Sequence, residues 1–314
     1  MNNFLLKQPE TLSKFRIISF YCAAAFIMFS LLGLLSNGLN LGLDFTGGYL
    51  TEFSTKQSVS QHKMEGLLTT YLPDSFQLSS AENGTHWSVQ QADNNSGLKG
   101  KPWLTEFSEQ SGLTIMPQDA IYIGSQVGEE LINQGGLALL TSVMVILLYL
   151  SLRFEWRLAA GSVIALFHDV IIVLGLFAWF ELSFDLTILA SLLAIIGYSL
   201  NDSIIVGDKV REIMKRNSEK NNEKNSGKNI ESIINLAIKS TIVRTLITSG
   251  TTLATILAIW VFAGESLAGF SIALFSGVLV GTFSSIAISA TVPQLLGLSA
   301  NYYRKKEEEV CQLP

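Results

Sequence analysis

Six apolar runs of roughly twenty residues, separated by polar stretches, constrain this chain more than any other feature of its sequence. A helix needs about 20 predominantly apolar residues to cross the hydrocarbon core of a bilayer. We therefore predict a membrane α-helical protein with six transmembrane helices, and not a soluble enzyme. The predicted spans cover residues 15–35, 132–152, 158–180, 186–206, 243–262 and 267–296.

The composition agrees with this interpretation. Hydrophobic residues make up 48% of the chain and charged residues only 15%, whereas a globular domain carries about a quarter charged residues. The first apolar run is too long for a signal peptide, so we expect an uncleaved span. Cys22 lies in that run and Cys311 in the polar tail, which predicts no disulfide and no metal site of the CxxC type.

Basic residues predict the orientation, because cytoplasmic connections carry an excess of lysine and arginine. The connections after spans three and five contain acids and no base in residues 181–185 and 264–266. We therefore predict an inner-membrane protein with a cytoplasmic N-terminus at 1–14 and a cytoplasmic C-terminal tail at 297–314. The basic residues on the predicted cytoplasmic side include Lys7, Lys14, Arg16, Arg153, Arg157, Lys209, Arg211, Lys215, Arg216, Lys239, Arg304, Lys305 and Lys306.

One domain, residues 37–130, is predicted on the periplasmic side between the first two spans. Its pattern indicates strands at 49–54, 76–80, 85–90 and 120–123, and helices at 58–71 and 102–111. Asn83 and Gly84 supply a hairpin turn. The order β-α-β-β-α-β is that of a ferredoxin-like sandwich, so we predict a small α+β ferredoxin-like domain.

A flexible cytoplasmic loop is predicted at about 209–240, between spans four and five. Its middle part, residues 217–229, is polar and low in complexity. Such a segment has little apolar surface to bury, which favours flexibility over a packed structure.

Two opposite charges fall inside predicted spans, where a charge costs at least about 2.5–3.5 kcal/mol on insertion scales. By helical rise, Asp202 lies roughly 10 Å and Arg244 roughly 7–8 Å inside the cytoplasmic edge. Their spans are antiparallel neighbours, so the acid and the base can share a layer. The pair is either structural, or Asp202 exchanges protons while Arg244 biases its charge state. Asn201 and Ser203 would then support bound water.

His168 and Asp169 lie near the middle of span three, about 16–18 Å from Arg157 by helical rise. Adjacent helical residues point about 100° apart, so at least one of the two should face the bundle interior. Either this pair forms a static interhelical hydrogen bond, or it belongs to the same proton pathway.

The remaining sequence patterns say less about function. Gly277 and Gly281 have the spacing that permits close packing of membrane helices. Gly42 and Gly47 have the spacing of a phosphate-binding loop, but Gly48 stands where its lysine should be, which argues against nucleotide binding. No Ser/His/Asp set with a readable spacing and no metal motif is apparent, so we predict no cofactor, no metal and no enzymatic activity.

Four segments together resemble the SecF family, the smaller membrane subunit of the bacterial SecDF protein-export complex. They are residues 41–48 (LGLDFTGG), 167–171 (FHDVI), 196–206 (IGYSLNDSIIV) and 244–249 (RTLITS), and the resemblance covers nearly the whole chain. The departures are small. Leu43 stands where the family often has isoleucine and Gly207 where it often has phenylalanine, and neither change removes a titrating group.

The resemblance implies a fold related to the resistance-nodulation-division transporters and a function in protein export driven by the proton-motive force. It implies SecD as the partner that supplies six further spans, the SecYEG channel, often YajC, and an unfolded preprotein as substrate. It assigns proton passage to Asp202 and Arg244, with Asp169 at a family position of less defined role. A small-molecule exporter and a purely structural subunit remain as alternatives.

The glycine-rich segment after span one is a further candidate. Asp44, Gly47 and Gly48 stand beside a predicted strand, where they could form a hinge between the membrane and the outside domain. The alternative is a tight turn with no moving part.

Overall fold

The computed structural model describes residues 9–72, 76–81, 84–92, 102–218, 229–263 and 267–298. Six helices within these ranges are long and apolar enough to cross a membrane, as the six apolar runs predict. In chain order the elements are α1 (Pro9–Ser36), β1 (Asn40–Leu41), α2 (Leu43–Thr46), β2 (Gly48–Thr55), α3 (Gln61–Thr69), β3 (Phe76–Ala81), β4 (His86–Ala92), α4 (Pro102–Ser111), β5 (Ile115–Ile123), α5 (Ser125–Arg153), α6 (Trp156–Trp179), β6 (Ser183–Phe184), α7 (Leu186–Ser218), α8 (Asn229–Phe262), α9 (Ala268–Ser284), a π-helical turn (Ser285–Ser289) and α10 (Val292–Leu295).

Helices α6, α7 and α9 form the centre of the membrane bundle, where each is about half buried, and α1, α5 and α8 lie at its periphery. Glycine allows the central helices to approach closely. A Cβ added to Gly277 would lie 2.4 Å from the Ile195 side chain, and one added to Gly281 would lie 3.2 Å from the Cβ of Ser199. The packing role predicted for the two glycines is therefore confirmed.

The predicted loop over 209–240 is wrong at both ends, because α7 continues to residue 218 and α8 begins at residue 229. Apolar side chains on these two extensions pack together beyond the ends of the predicted spans. Their burial stabilises both helices where charge and polarity indicate a loop. Residues 219–228, the middle of the predicted loop, lie outside the described residues. The buried side chains of the extensions are Val210, Ile213, Met214, Ile233, Ile234, Ala237 and Ile238.

The domain between α1 and α5 has the predicted order β-α-β-β-α-β. Its four strands form an antiparallel sheet in the order β3-β4-β2-β5, and α3 and α4 cover one face of it. The core between them is aromatic: the Phe53 ring meets the rings of Trp103 and Phe107 edge-on, over buried Trp87 and Met64. Strand β5 is longer than predicted, since it begins at residue 115.

The segment that joins α1 to this domain is fastened to the start of α7. Strand β1 pairs in parallel with β6, and the Gly42 N–H donates to the Phe184 carbonyl at 2.8 Å. The Asp44 Oδ2 atom accepts a hydrogen bond from the Leu186 N–H at 3.1 Å. Gly47 and Gly48 then turn the chain into β2 with positive φ angles of 69° and 143°, which glycine adopts without steric cost.

Gly84, in the β3–β4 connection, yields a first prediction. Its φ is 80°, and a Cβ there would lie 2.4 Å from the Val59 carbonyl oxygen. Gly84→Ala should therefore destabilise the domain by more than the roughly 1–2 kcal/mol that left-handed backbone costs a residue with a Cβ. Gly112→Ala is the matched control, because its φ is 68° and nothing lies within 4 Å of the added Cβ. Limited proteolysis of the full chain should cut the Gly84 variant faster; equal rates would contradict the prediction.

Candidate functional site

Asp169 is a buried acid that hydrogen-bonds to side chains on three helices of the membrane bundle. Its side chain is only 1% exposed, and three hydrogen bonds reach its two carboxylate oxygens. His168 Nδ1 lies 2.9 Å from Oδ1, the Ser199 hydroxyl donates to Oδ2 at 2.5 Å, and the Ser284 hydroxyl donates to Oδ2 at 2.9 Å. The carboxylate therefore joins α6, α7 and α9, and its partners offset the cost of burying an anion.

His168 and Asp169 both lie inside the bundle, although adjacent helical residues point in different directions. The imidazole is 1% exposed and bends back to its neighbour. Its Nε2 atom is buried and has no hydrogen-bond partner among the described residues. A buried ring nitrogen without a partner costs free energy unless water or another side chain reaches it.

A second set of polar side chains links α7, α8 and α9. The Tyr198 hydroxyl donates to Ser249 Oγ at 2.8 Å, and Ser249 Oγ lies 2.7 Å from Thr282 Oγ1. Asp202 follows Tyr198 by four residues on α7, and Thr245 precedes Ser249 by four on the antiparallel α8. Both therefore lie about one turn further toward the cytoplasmic ends predicted for these helices.

Asp202 is fully buried, and neither of its carboxylate oxygens has a hydrogen-bond partner within the described parts of the chain. The hydroxyls of Ser203 and Thr245 are also buried without partners there. Asp202 follows Ser199, which contacts Asp169, by three residues, a rise of about 4.5 Å. The two acids thus occupy successive turns of one polar region, one with partners and the other without.

Arg244 does not form the ion pair with Asp202 that the shared layer of the two residues allows. Between the described side chains, no salt bridge within 4.0 Å joins it to Asp202, although its charge acts on that carboxyl electrostatically. Arg244 lies on the exposed face of α8, and Asn201 on an exposed face of α7. Of the two predicted supporting residues, only Ser203 is buried with Asp202.

Sequence reasoning missed Ser199, Ser284 and the π-helical turn that follows Ser284. The turn covers Ser285–Ser289. In and beside it, four hydroxyl residues are buried in the bundle: Ser284, Ser285, Ser289 and Thr291. Turns of this kind occur often at functional sites. Four hydroxyl residues within one apolar span were the available signal, because a polar side chain in a span can also hydrogen-bond across to a neighbouring helix.

Known proteins of one family resemble this chain over most of its length. Residues 106–298 match the family described as protein export membrane protein SecD/SecF, C-terminal, and residues 33–59 match the SecD/SecF GG motif. The protein translocase subunit SecF of Pseudomonas aeruginosa is 37% identical over 84% of this chain and 84% of its own length. The chain belongs to the SecF family. The SecF subunit of Vibrio alginolyticus is 36% identical over 97% of this chain and 96% of its own.

Solved structures show the same family relationship. The crystal structure of SecDF, a translocon-associated membrane protein from Thermus thermophilus, superposes with a TM-score of 0.73 at 29% identity. It covers 90% of this chain, and this chain spans only 38% of that SecDF chain. A super-membrane-facing form of SecDF superposes over 94% of this chain with a TM-score of 0.65 and 28% identity. The present SecF-family chain is therefore comparable to a part of SecDF.

Proposed function

We propose that this chain is an auxiliary subunit of the Sec preprotein translocase, which with SecD uses the proton-motive force to assist late protein export. Membership of the SecF family supports the translocase role. The observation that carries the proton step is Asp202, an acid buried in a span with no hydrogen-bond partner among the described residues. An unpaired charge in a bilayer is costly, so such an acid is typical of a proton pathway. No enzymatic step and no cofactor belong to the proposal.

The proton step follows from the difference between the two buried acids. Asp169 has partners for a negative charge, whereas Asp202 must bind a proton, gain water or approach a cation such as Arg244 when it becomes charged. Each change at Asp202 alters the packing of α7 against α8 and α9. A proton can in this way shift the balance between two helix arrangements by a few kcal/mol.

The domain between α1 and α5 would respond to that shift. We assign it as a ferredoxin-like periplasmic domain, residues 37–130, on the basis of its strand order and of the basic residues at the opposite ends of the spans. Both termini would then lie in the cytoplasm, with the spans in the inner membrane. Asp44, Gly47 and Gly48 connect the domain to the bundle and are the proposed hinge. Its movement would hold an emerging preprotein and prevent it from sliding back.

The exposed face of α8 indicates that a partner chain binds there. Arg244 is exposed there, roughly 7–8 Å inside the cytoplasmic edge predicted from helical rise, and apolar Val243 and Ile247 beside it are 57% and 61% exposed. A guanidinium at that depth favours an acidic partner over lipid. We propose that SecD covers this face, and that SecYEG and YajC join the complex elsewhere.

Arg244→Met should remove the gradient-dependent part of export while the complex with SecD still assembles, because the thioether preserves apolar contact but not charge. Lys239→Met is the matched control, since Lys239 is an exposed base one and a half turns earlier on α8. Co-purification with SecD and export into inverted vesicles are measured together. If both variants behave alike, Arg244 merely reaches the lipid headgroups and its assignment to the pathway is wrong.

The function itself is tested with inverted inner-membrane vesicles from cells that contain or lack this chain. Preprotein movement is followed after ATP removal, with and without a proton gradient. Only vesicles that contain the chain should respond to the gradient. A small-molecule exporter predicts instead a loss of drug efflux in the deletion strain with no effect on preprotein movement, and a structural subunit predicts loss only where the complex fails to assemble.

A further inference from the structure

The hydrogen bonds around Asp169 support a role for a second buried acid in addition to Asp202. This inference rests on the proposed function. We infer that Ser199 and Ser284 are positioning residues for a second proton-exchanging acid, Asp169, and that Ser284 connects the charge of this acid to the π-helical turn of the sixth span.

The first step concerns the two serines. Both are buried, with exposures of 1% for Ser199 and 0% for Ser284, and both donate to the same oxygen, Oδ2 of Asp169. Buried membrane serines usually donate to a carbonyl of their own helix, as Ser191 and Ser285 do. The Ser199 donor is therefore directed at the carboxylate, and the Ser284 hydroxyl lies nearer to Oδ2, at 2.9 Å, than to the Gly281 carbonyl of its own helix, at 3.1 Å. Both bonds to Oδ2 favour the ionised form of Asp169 because they strengthen with negative charge.

The second step concerns the other groups around Asp169. On α6 its titratable neighbour is His168, whose Nδ1 atom lies 2.9 Å from Oδ1. Helix α9 and the π-helical turn contain no ionisable side chain, and on α7 the nearest acid is Asp202, three residues beyond Ser199. On α1 the ionisable residues are Glu10, Lys14, Arg16, Tyr21 and Cys22, and Arg16 is held by Gln294 at one end of the bundle. Hydrogen bonds from the serines and from His168 are therefore the contacts that offset the cost of burying a charge at Asp169.

The third step concerns the junction between α9 and the π-helical turn. Ser284 is the residue at which α9 stops and the π-helical turn begins. Its hydroxyl holds this junction to α6 as long as Oδ2 accepts. A proton that binds Oδ2 takes up one of that oxygen's acceptor positions, and Ser284 then loses its position to the shorter bond from Ser199. The junction is then released, and the turn can exchange its i→i+5 pattern for an α-helical one.

The test compares variants that remove these donors with variants that remove neighbouring hydroxyls. Ser199→Ala and Ser284→Ala should move the pH at which gradient-dependent export is half-maximal to higher pH by roughly one unit, because the ionised acid loses a donor. Ser191→Ala on α7 and Ser276→Ala on α9 are the matched controls, since both serines lie on the same helices as the tested pair and donate to backbone carbonyls. Their profiles should match the parent.

A direct readout separates positioning from loss of structure. Infrared difference spectra of the purified complex, titrated with acid, should show a protonated-carboxyl band that Asp169→Asn removes and whose midpoint moves in Ser199→Ala and Ser284→Ala. Midpoints that stay with the parent, or that move equally in the two control variants, overturn the inference. The proposed function fails separately, if the parent complex shows no gradient-dependent export at all.

Discussion

Vesicles that carry Asp202→Asn are expected to move preprotein at the same rate with and without a proton gradient once ATP has been removed. Asparagine keeps the shape of the buried side chain but can neither bind nor release a proton at this position. The whole gradient-dependent part of export should therefore disappear, while insertion and assembly with SecD remain. The measurement is the protected fraction of a stalled preprotein over time in inverted vesicles.

Asp208→Asn is the matched control for this variant. Asp208 lies on the same helix, α7, but its carboxylate is partly exposed and pairs with Arg153 at 2.8 Å. An exposed pair of this kind contributes at most about 1 kcal/mol, so export should keep its dependence on the gradient. Asp202 is not the proton carrier if its variant responds to the gradient as the parent does.

The second large effect is expected at Gly128, where α5 meets α2. A Cβ at Gly128 would lie 2.6 Å from the Phe45 carbonyl oxygen and 2.9 Å from the Phe45 carbonyl carbon. Because both are backbone atoms, they cannot rotate away, and Gly128→Ala should force α5 from the junction at a cost of about 1–3 kcal/mol. We expect a lower unfolding temperature in detergent and weaker gradient-dependent export.

Gly136→Ala distinguishes this contact from a general effect of alanine on α5. Gly136 lies two turns further along the same helix, and nothing lies within 4 Å of an added Cβ. Alanine favours a helix over glycine by about 1 kcal/mol, so this variant should be as stable as the parent or more stable. If Gly128→Ala is equally harmless, α5 and α2 are not held together as the structure shows.

Much of the fold could be predicted because its signals are local. Apolar length alone predicts the six spans, and alternation with turn residues predicts the order of β2 to β5 with α3 and α4. Strand β5 begins five residues earlier than predicted, and no local pattern predicts β1 and α2. The ends of α7 and α8 were missed for a related reason. Charges around Lys209 and Lys239 indicate a loop, while the buried stripe that includes Met214 and Ile234 becomes visible only when both helices are paired.

The candidate site could be predicted only in part. Depth in the membrane singles out Asp202 and Asp169 without any structure, since a charge in a span is costly wherever it points. It cannot show that Asp169 has two serine donors while Asp202 has no partner among the described residues, because Ser284 is 115 residues from Asp169 in sequence. Contacts of such separation depend on which helices pack together, and no local pattern records that.

The hydrogen bond from the Leu186 N–H to Asp44 has a mechanical consequence. Helix α7 is continuous from Leu186 to residue 218, so Asp202 and the junction before the outside domain sit about 24 Å apart on one rigid rod. An axial displacement at one end of a rod appears undiminished at the other. We therefore expect an axial displacement of α7 at Asp202 to reach the junction at Asp44, from which Gly47 and Gly48 lead into β2.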